Sequence, residues 1–145
     1  MMAPVTDWSI RSATLEHIPA VLALWQAAGG PESVTDTADG LARLLRENRD
    51  GLLIADCAGA PIASLIATWD GWRGNLYRLA VRPQRRREGI ATALVREGER
   101  RLRARGAVRL SAIVADQDPA AMEFWRAAGY RRQHDQARFV RHLHA

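Results

Sequence analysis

The stretch from Leu76 to Arg105 limits the fold more than any other part of the chain, because it reads as strand, turn and helix without a break. Leu76, Leu79, Ala80 and Val81 form an apolar run of strand length, interrupted only by Tyr77 and Arg78. Arg82-Pro83 closes the run, since proline has no N–H to give a central strand. Gln84 to Gly89 make a short arginine-rich turn, after which Ile90, Leu94, Val95 and Leu102 recur at helical spacing. A glycine at the start of a helix lets main-chain N–H groups approach a ligand closely. Those free N–H groups, with the positive end of the helix dipole, make an anion site. Arg82, Arg85, Arg86 and Arg87 surround it with charge able to pair with phosphate. The physical reading is a diphosphate cradle built from backbone, with arginines as auxiliaries.

Two other phosphate loops are excluded. The turn lacks a Gly-Lys-Ser/Thr ending in a chain without lysine, and it lacks the three spaced glycines of a dinucleotide fingerprint. The formal charge of +5 comes from 21 arginines against 16 acidic residues, and the arginines concentrate between Arg82 and Arg105. Nucleic-acid binding is the weaker account of that charge. Glu88, Glu97 and Glu99 interrupt it, and no aromatic side chain there offers a base a stacking surface. One cysteine, Cys57, excludes an internal disulfide and a cysteine-rich metal site, which suits a reducing cytoplasm. Met1 to Asp7 has no signal-peptide pattern and reads as a flexible lead-in, and no apolar run reaches membrane-spanning length. The expectation is one domain over residues 1–145, cytoplasmic, without metal or membrane contact.

Elsewhere the periodicities alternate between strand and helix. Trp8 to Arg11 predicts a first strand, and Thr14 a cap for a helix to about Ala28 with Val21, Leu22, Leu24 and Trp25 inward. A second helix starts near Asp36 and carries Leu41, Leu44 and Leu45 to about Asn48. Leu52–Ala55 and Ile62–Trp69 predict strands joined by a turn at Cys57–Ala60, and Asp70-Gly71-Trp72-Arg73-Gly74 returns the chain into the opening strand. After Gly106, Val108 to Val114 alternates as a strand. Pro119 to Ala128 is a fourth helix, and Tyr130–Arg132 with Ala137–Leu143 a last strand pair. The order predicts an α/β fold, a mixed sheet of about seven strands with helices on both faces.

Arg86-Arg87-Glu88-Gly89-Ile90-Ala91 resembles the Arg/Gln-x-x-Gly-x-Gly/Ala signature of the GCN5-related N-acetyltransferases, and Leu79-Ala80-Val81-Arg82-Pro83 resembles the strand leading into that family's acetyl-CoA loop. Asp118 to Tyr130 is similar to the same family's Asn-x-x-Ala-x-x-Phe-Tyr-x-x-x-Gly-Phe/Tyr segment. The Asp70–Gly74 turn resembles one in a bacterial branch of mostly unassigned acceptor. The resemblance covers about Trp8 to Leu143. It implies that the strands at 76–82 and 108–114 splay apart and that Leu79, Ala80 and Val81 hold the pantetheine arm of acetyl-coenzyme A. Arg86, Arg87, Glu88, Gly89, Ile90 and Ala91 would hold its diphosphate, with Asp118 and Trp125 touching the cofactor.

For chemistry the resemblance implies acetyl transfer to a primary amine by direct attack in a ternary complex. Relatives often carry a glutamate four or six residues before the valine that precedes Arg82-Pro83. Tyr77 and Asn75 stand there instead, and neither is a good base at neutral pH. They are the candidate catalytic residues, Tyr77 as a hydrogen-bond partner of the amine or of a relay water. Trp125 occupies the place of the family's proton-donating tyrosine, and an indole N–H does not act as an acid. Glu32, Trp69, Asp70, Trp72 and His134 are candidates for binding the small-molecule or peptide acceptor. Two other readings stay open: a CoA-binding sensor that has lost its chemistry, and a basic nucleic-acid-binding protein. Homodimers are frequent among relatives.

Overall fold

Among the described residues the chain makes five strands and four helices; the strands at Leu52–Cys57 and Ala60–Trp69, covered on both faces, carry continuous buried runs rather than strict alternation. The computed structural model describes residues 6–143. β1 (Ser9–Ser12) leads through a 3-10 turn at Leu15–His17 into α1 (Ile18–Ala28) and α2 (Ala38–Glu47). β2 (Leu52–Cys57), β3 (Ala60–Trp69) and β4 (Gly74–Val81) follow, then α3 (Ile90–Arg105), β5 (Leu110–Ala112) and α4 (Pro119–Ala127). The sheet runs β1-β2-β3-β4-β5, antiparallel except for the last pair, and is therefore mixed as expected. The chain forms two compact units, one to Ala112 and one from Ile113 onward. The lead-in expected over residues 1–7 falls largely on 1–5, outside the described residues.

Local chemistry explains most boundaries. Thr14 caps the 3-10 turn rather than α1 itself. Its N–H donates to His17 Nδ1 at 3.0 Å. Pro19 sits in the first turn of α1, where its missing N–H leaves no bond unmade. α2 begins two residues later than Asp36 because Thr37 is the cap, its hydroxyl accepting the Gly40 N–H at 3.0 Å. Ala58 and Gly59, both at positive φ, form the two-residue hairpin turn between β2 and β3.

The core lies on both faces of the sheet. Val21, Leu24 and Trp25 of α1 and Leu41 of α2 pack on Leu52, Ile54 and Ile66. Alternation sends Leu65 and Ala67 to the other face, where α3 lies. There Gly98 lets the helix approach closely: a Cβ on it would come within 3.2 Å of Leu65 and 3.5 Å of Ala67.

Two expectations are corrected. β5 is only three residues long, and Val108, read as its start, is 96% exposed. The last strand pair does not form among the described residues, which gives five strands instead of about seven. Its apolar side chains are uncovered, Phe139 at 94% and Leu143 at 88% exposure, and Arg131, Arg132, Arg138 and Arg141 lie among them. A two-stranded ribbon with no buried face has little to hold it together.

Gly98→Leu should lower stability by about 1–3 kcal/mol through overpacking, read as a lower urea midpoint. Glu97 gives a pH test. Its carboxyl is held at about 2, below the ordinary 4.5, by a hydrogen bond from Arg100 and then one from Arg101. The stability this contributes is present above about pH 4.5 and is lost as the pH falls toward 2. Urea titrations across that window should fall more steeply for the native chain than for Glu97→Gln.

Candidate active site

β4 departs from regular pairing at one point. Ile66 pairs with Tyr77 and Ser64 with Ala80, so Arg78 and Leu79 together face the single residue Leu65. This is a β-bulge, and Arg78 sits in it at φ +54°. An L residue in that region costs roughly 1–2 kcal/mol. Surrounding contacts hold it there. Ser64, fully buried, accepts the Trp25 indole N–H at 2.8 Å and donates to the Arg78 carbonyl at 3.2 Å. The Arg78 guanidinium pairs with Asp36, donates to the Pro31 carbonyl at 3.2 Å and lies 5.1 Å from the centre of the Trp25 ring. Burial pulls its pKa below the ordinary arginine value, and the nearby Glu32 carboxylate opposes that shift.

The bulge also sets which edge groups of β4 are free. Arg82 N–H donates to the Ile62 carbonyl, and Ala80 stands opposite Ser64. By alternation, the N–H and C=O of Leu79 and Val81 point away from β3. On that side the ladder to β5 pairs Gly74, Asn75 and Leu76 with Leu110, Ser111 and Ala112 and then stops. The edge from Tyr77 to Val81 thus has no strand partner there among the described residues.

Val81 runs into the turn. Pro83–Arg85 form a 3-10 turn, Arg87 and Gly89 take positive φ, and α3 starts at Ile90. Among the described residues no acceptor meets the main-chain N–H groups from Arg86 to Thr92. At φ +80° a Cβ on Gly89 would project into space empty to 4 Å. These features fit a diphosphate. The arginines divide in role. Arg85 is committed to Glu88 at 2.8 Å and Asp7 at 2.5 Å, which raise its pKa, Glu88 the more. Glu88 is thereby turned to a cation and away from repelling an anion. Arg86 donates to the Ala28 carbonyl at 3.3 Å, while Arg87 is exposed on the turn beside Gly89.

The other sequence candidates separate. Asn75 and Tyr77 share the α1 face of β4, half-buried, with Tyr77 packed against the α1–α2 cluster. Glu32 lies exposed in the segment joining α1 to α2. Asp70 holds the β3–β4 turn: its Oδ1 accepts the N–H groups of Trp72 and Arg73 at 2.8 and 2.7 Å. Those two bonds, Arg73's the larger, keep its carboxyl below the usual range. Trp69 closes β3 opposite Gly74, and Trp72 is 69% exposed with the Arg73 guanidinium 4.0 Å above its ring. In the second unit, Asp118 caps α4 by accepting the Ala121 N–H at 3.1 Å, and Trp125 is buried edge-on against Phe124 and Tyr130. His134 is exposed in a bend. Sequence reasoning passed over Arg78, Ser64 and Trp25 as a unit. The one trace of it was the pair Tyr77-Arg78 breaking the apolar run, which marks where a bulge resets the alternation.

The fold is that of solved acetyltransferases. A PaiA N-acetyltransferase of Thermoplasma acidophilum, solved with coenzyme A, superposes with a TM-score of 0.80 at 15% identity over 90% of this chain and 94% of that one. The family described as "Acetyltransferase (GNAT) family" matches residues 18–130, and the chain belongs to it. It is 31% identical to an acetyltransferase of Sodalis glossinidius over 86% of this chain and 87% of the relative. To one of Photorhabdus laumondii it is 28% identical over 88% and 90%. The chain is therefore an acyltransferase of a family whose donor is acetyl-coenzyme A. None of its described helices is long and apolar enough to cross a membrane.

Ser64→Ala would leave the Trp25 indole and the Arg78 carbonyl without their shared partner. A loss of about 1–3 kcal/mol in urea unfolding is expected, larger than for an exposed serine.

Proposed function

We propose that the protein transfers an acetyl group from acetyl-coenzyme A to a primary amine, by direct attack with both substrates bound. The observation that carries this is the continuity of two features: the unpaired edge of β4 at Leu79–Val81 and the open turn at Gly89. Acetyl-coenzyme A supplies an acetyl thioester at the end of an amide-bearing arm, with a diphosphate at the other end. Leu79 and Val81 offer outward N–H and C=O groups to amides in the way an added strand would use them. An outward N–H is also a donor for an oxygen gaining negative charge, and losing one such donor typically raises a barrier by about 3 kcal/mol. N–H groups of the turn up to Ile90 and Ala91 hold the diphosphate, and Arg86 and Arg87 supply charge at its rim. The family resemblance also assigns Asp118 and Trp125 to contact with the cofactor.

The amine reaches the thioester from the α1 face of β4, which Asn75 and Tyr77 look onto. Neither is a base at neutral pH, so the proton leaves the amine through water, with the Tyr77 hydroxyl as a hydrogen-bond partner; as the C–N bond forms the C–S bond breaks, and the departing thiolate takes its proton from water or from the product amine. Glu32, Trp69, Asp70, Trp72 and His134 are assigned to contact with a small-molecule or peptide acceptor. The lack of a carboxylate at 75 and 77 also favours a second reading, a CoA-binding sensor without turnover. An amine panel followed by thiol release separates the two.

Coenzyme A should bind in calorimetry, and no heat at millimolar ligand would refute both readings. Gly89→Val should weaken that binding at least about tenfold, by filling the space over the turn and straining the backbone. Arg86→Ala should weaken it by about 1–3 kcal/mol, as loss of a charge-assisted contact does.

A further inference from the structure

The contacts of Arg78 join two parts of the chain that are far apart in sequence. Its Nε donates to Asp36 Oδ1 at 3.2 Å across 42 residues, and its terminal nitrogen to the Pro31 carbonyl at 3.2 Å across 47. Asp36 is fixed from its own side as well, since Oδ2 accepts the Ser33 N–H at 2.8 Å. One guanidinium therefore pins the segment from Pro31 to Asp36 to the bulged strand. That segment follows two positive-φ glycines and precedes the α2 cap, with no helix or strand of its own.

The charges do not cancel. Asp36 neutralises Arg78, while Glu32 acts on Arg78 through space and has no hydrogen bond or ion pair among the described residues. Three groups on the α1 side of the bulge thus sum to one negative charge, carried by an exposed carboxylate.

We propose that Arg78 is a positioning residue for the amine acceptor: by latching the 31–36 segment to the β4 bulge it presents Glu32 as an uncompensated carboxylate, and so selects acceptors bearing a second positive charge. This rests on the acyl-transfer reading above, which brings the amine to that face. A diamine is bound through its distal ammonium by Glu32 while the other nitrogen, deprotonated, attacks. An acceptor carrying a carboxylate meets repulsion at the same place.

Arg78→Gly separates side chain from backbone. Glycine keeps the positive φ and the carbonyl that Ser64 holds; the latch is lost together with the guanidinium's contact to the Trp25 ring, which Asp36→Asn leaves in place. Hydrogen exchange at the amides of 33–36 should quicken about tenfold or more in Arg78→Gly and in Asp36→Asn. With 1,4-diaminobutane as acceptor, both variants should show a KM about tenfold higher and a kcat within about threefold. Glu32→Gln should abolish the preference for the diamine over n-butylamine without changing that exchange. Unaltered exchange in both latch variants would overturn the proposal. So would equal kcat/KM for diamine and monoamine in the native chain. If the native chain binds no coenzyme A, the acyl-transfer reading falls and takes the acceptor half with it. If coenzyme A binds but the diamine has no advantage, this proposal falls alone.

Discussion

A serine hydroxyl shut away from water governs where this sheet opens. Ser64 is the one buried polar side chain in the described core, and it meets a donor on α1 and an acceptor on β4 at once. A buried hydroxyl without partners would be expensive, and with two it becomes directional. The direction matters because the acceptor is the carbonyl of Arg78, the residue forced into positive φ. Strained backbone persists where its surroundings over-determine it. Here Trp25, Ser64, Asp36 and Pro31 do so together. Without the bulge, alternation along β4 would run unbroken, and the edge groups of Leu79 and Val81 would exchange faces with those of Ala80.

The turn that follows illustrates how a dense cluster of arginines need not be a uniform field. Arg85 is held by Asp7 and Glu88 and serves as a strut for the turn's shape. Along α3, Arg96 pairs with Glu99, and Arg100 and Arg101 both pair with Glu97. What stays turned toward an anion is the main chain, with Arg86 and Arg87 beside it. On the proposed reading, affinity for a diphosphate would depend more on N–H geometry than on net charge, which suits a defined linker better than a long polyanion.

Much of this was legible because it follows from short-range chemistry. The strand-turn-helix at 76–105, the proline stop at 83, the stop at Gly106 and the Asp118 cap each depend on residues within a few positions of one another. The ladder's early end was legible through resemblance. Arg78 was not, because its partners lie over forty residues away and no local pattern couples an arginine in a strand to Asp36. Ser64 was hidden likewise, being one small residue in an apolar strand. The final strand pair misled for the opposite reason. Phe139, Val140 and Leu143 have strand propensity, but propensity without a surface to cover decides little.

The two substrates would meet supports of very different stiffness. The donor side is one frame: only the eight-residue turn from Arg82 to Gly89 separates the free edge of β4 from α3. That helix is seated by Leu94, Val95, Gly98 and Leu102, and Arg101 ties it to Ser12 at 2.7 Å. Groups held this way keep their spacing without help from a ligand. Under the proposal, the acceptor side would rest on the 31–36 segment, which has no ladder of its own and is fastened through the Arg78 guanidinium. The features that make the donor readable are therefore features the acceptor does not share, and under the proposal its identity would lie in the charges around Arg78 rather than in the sheet.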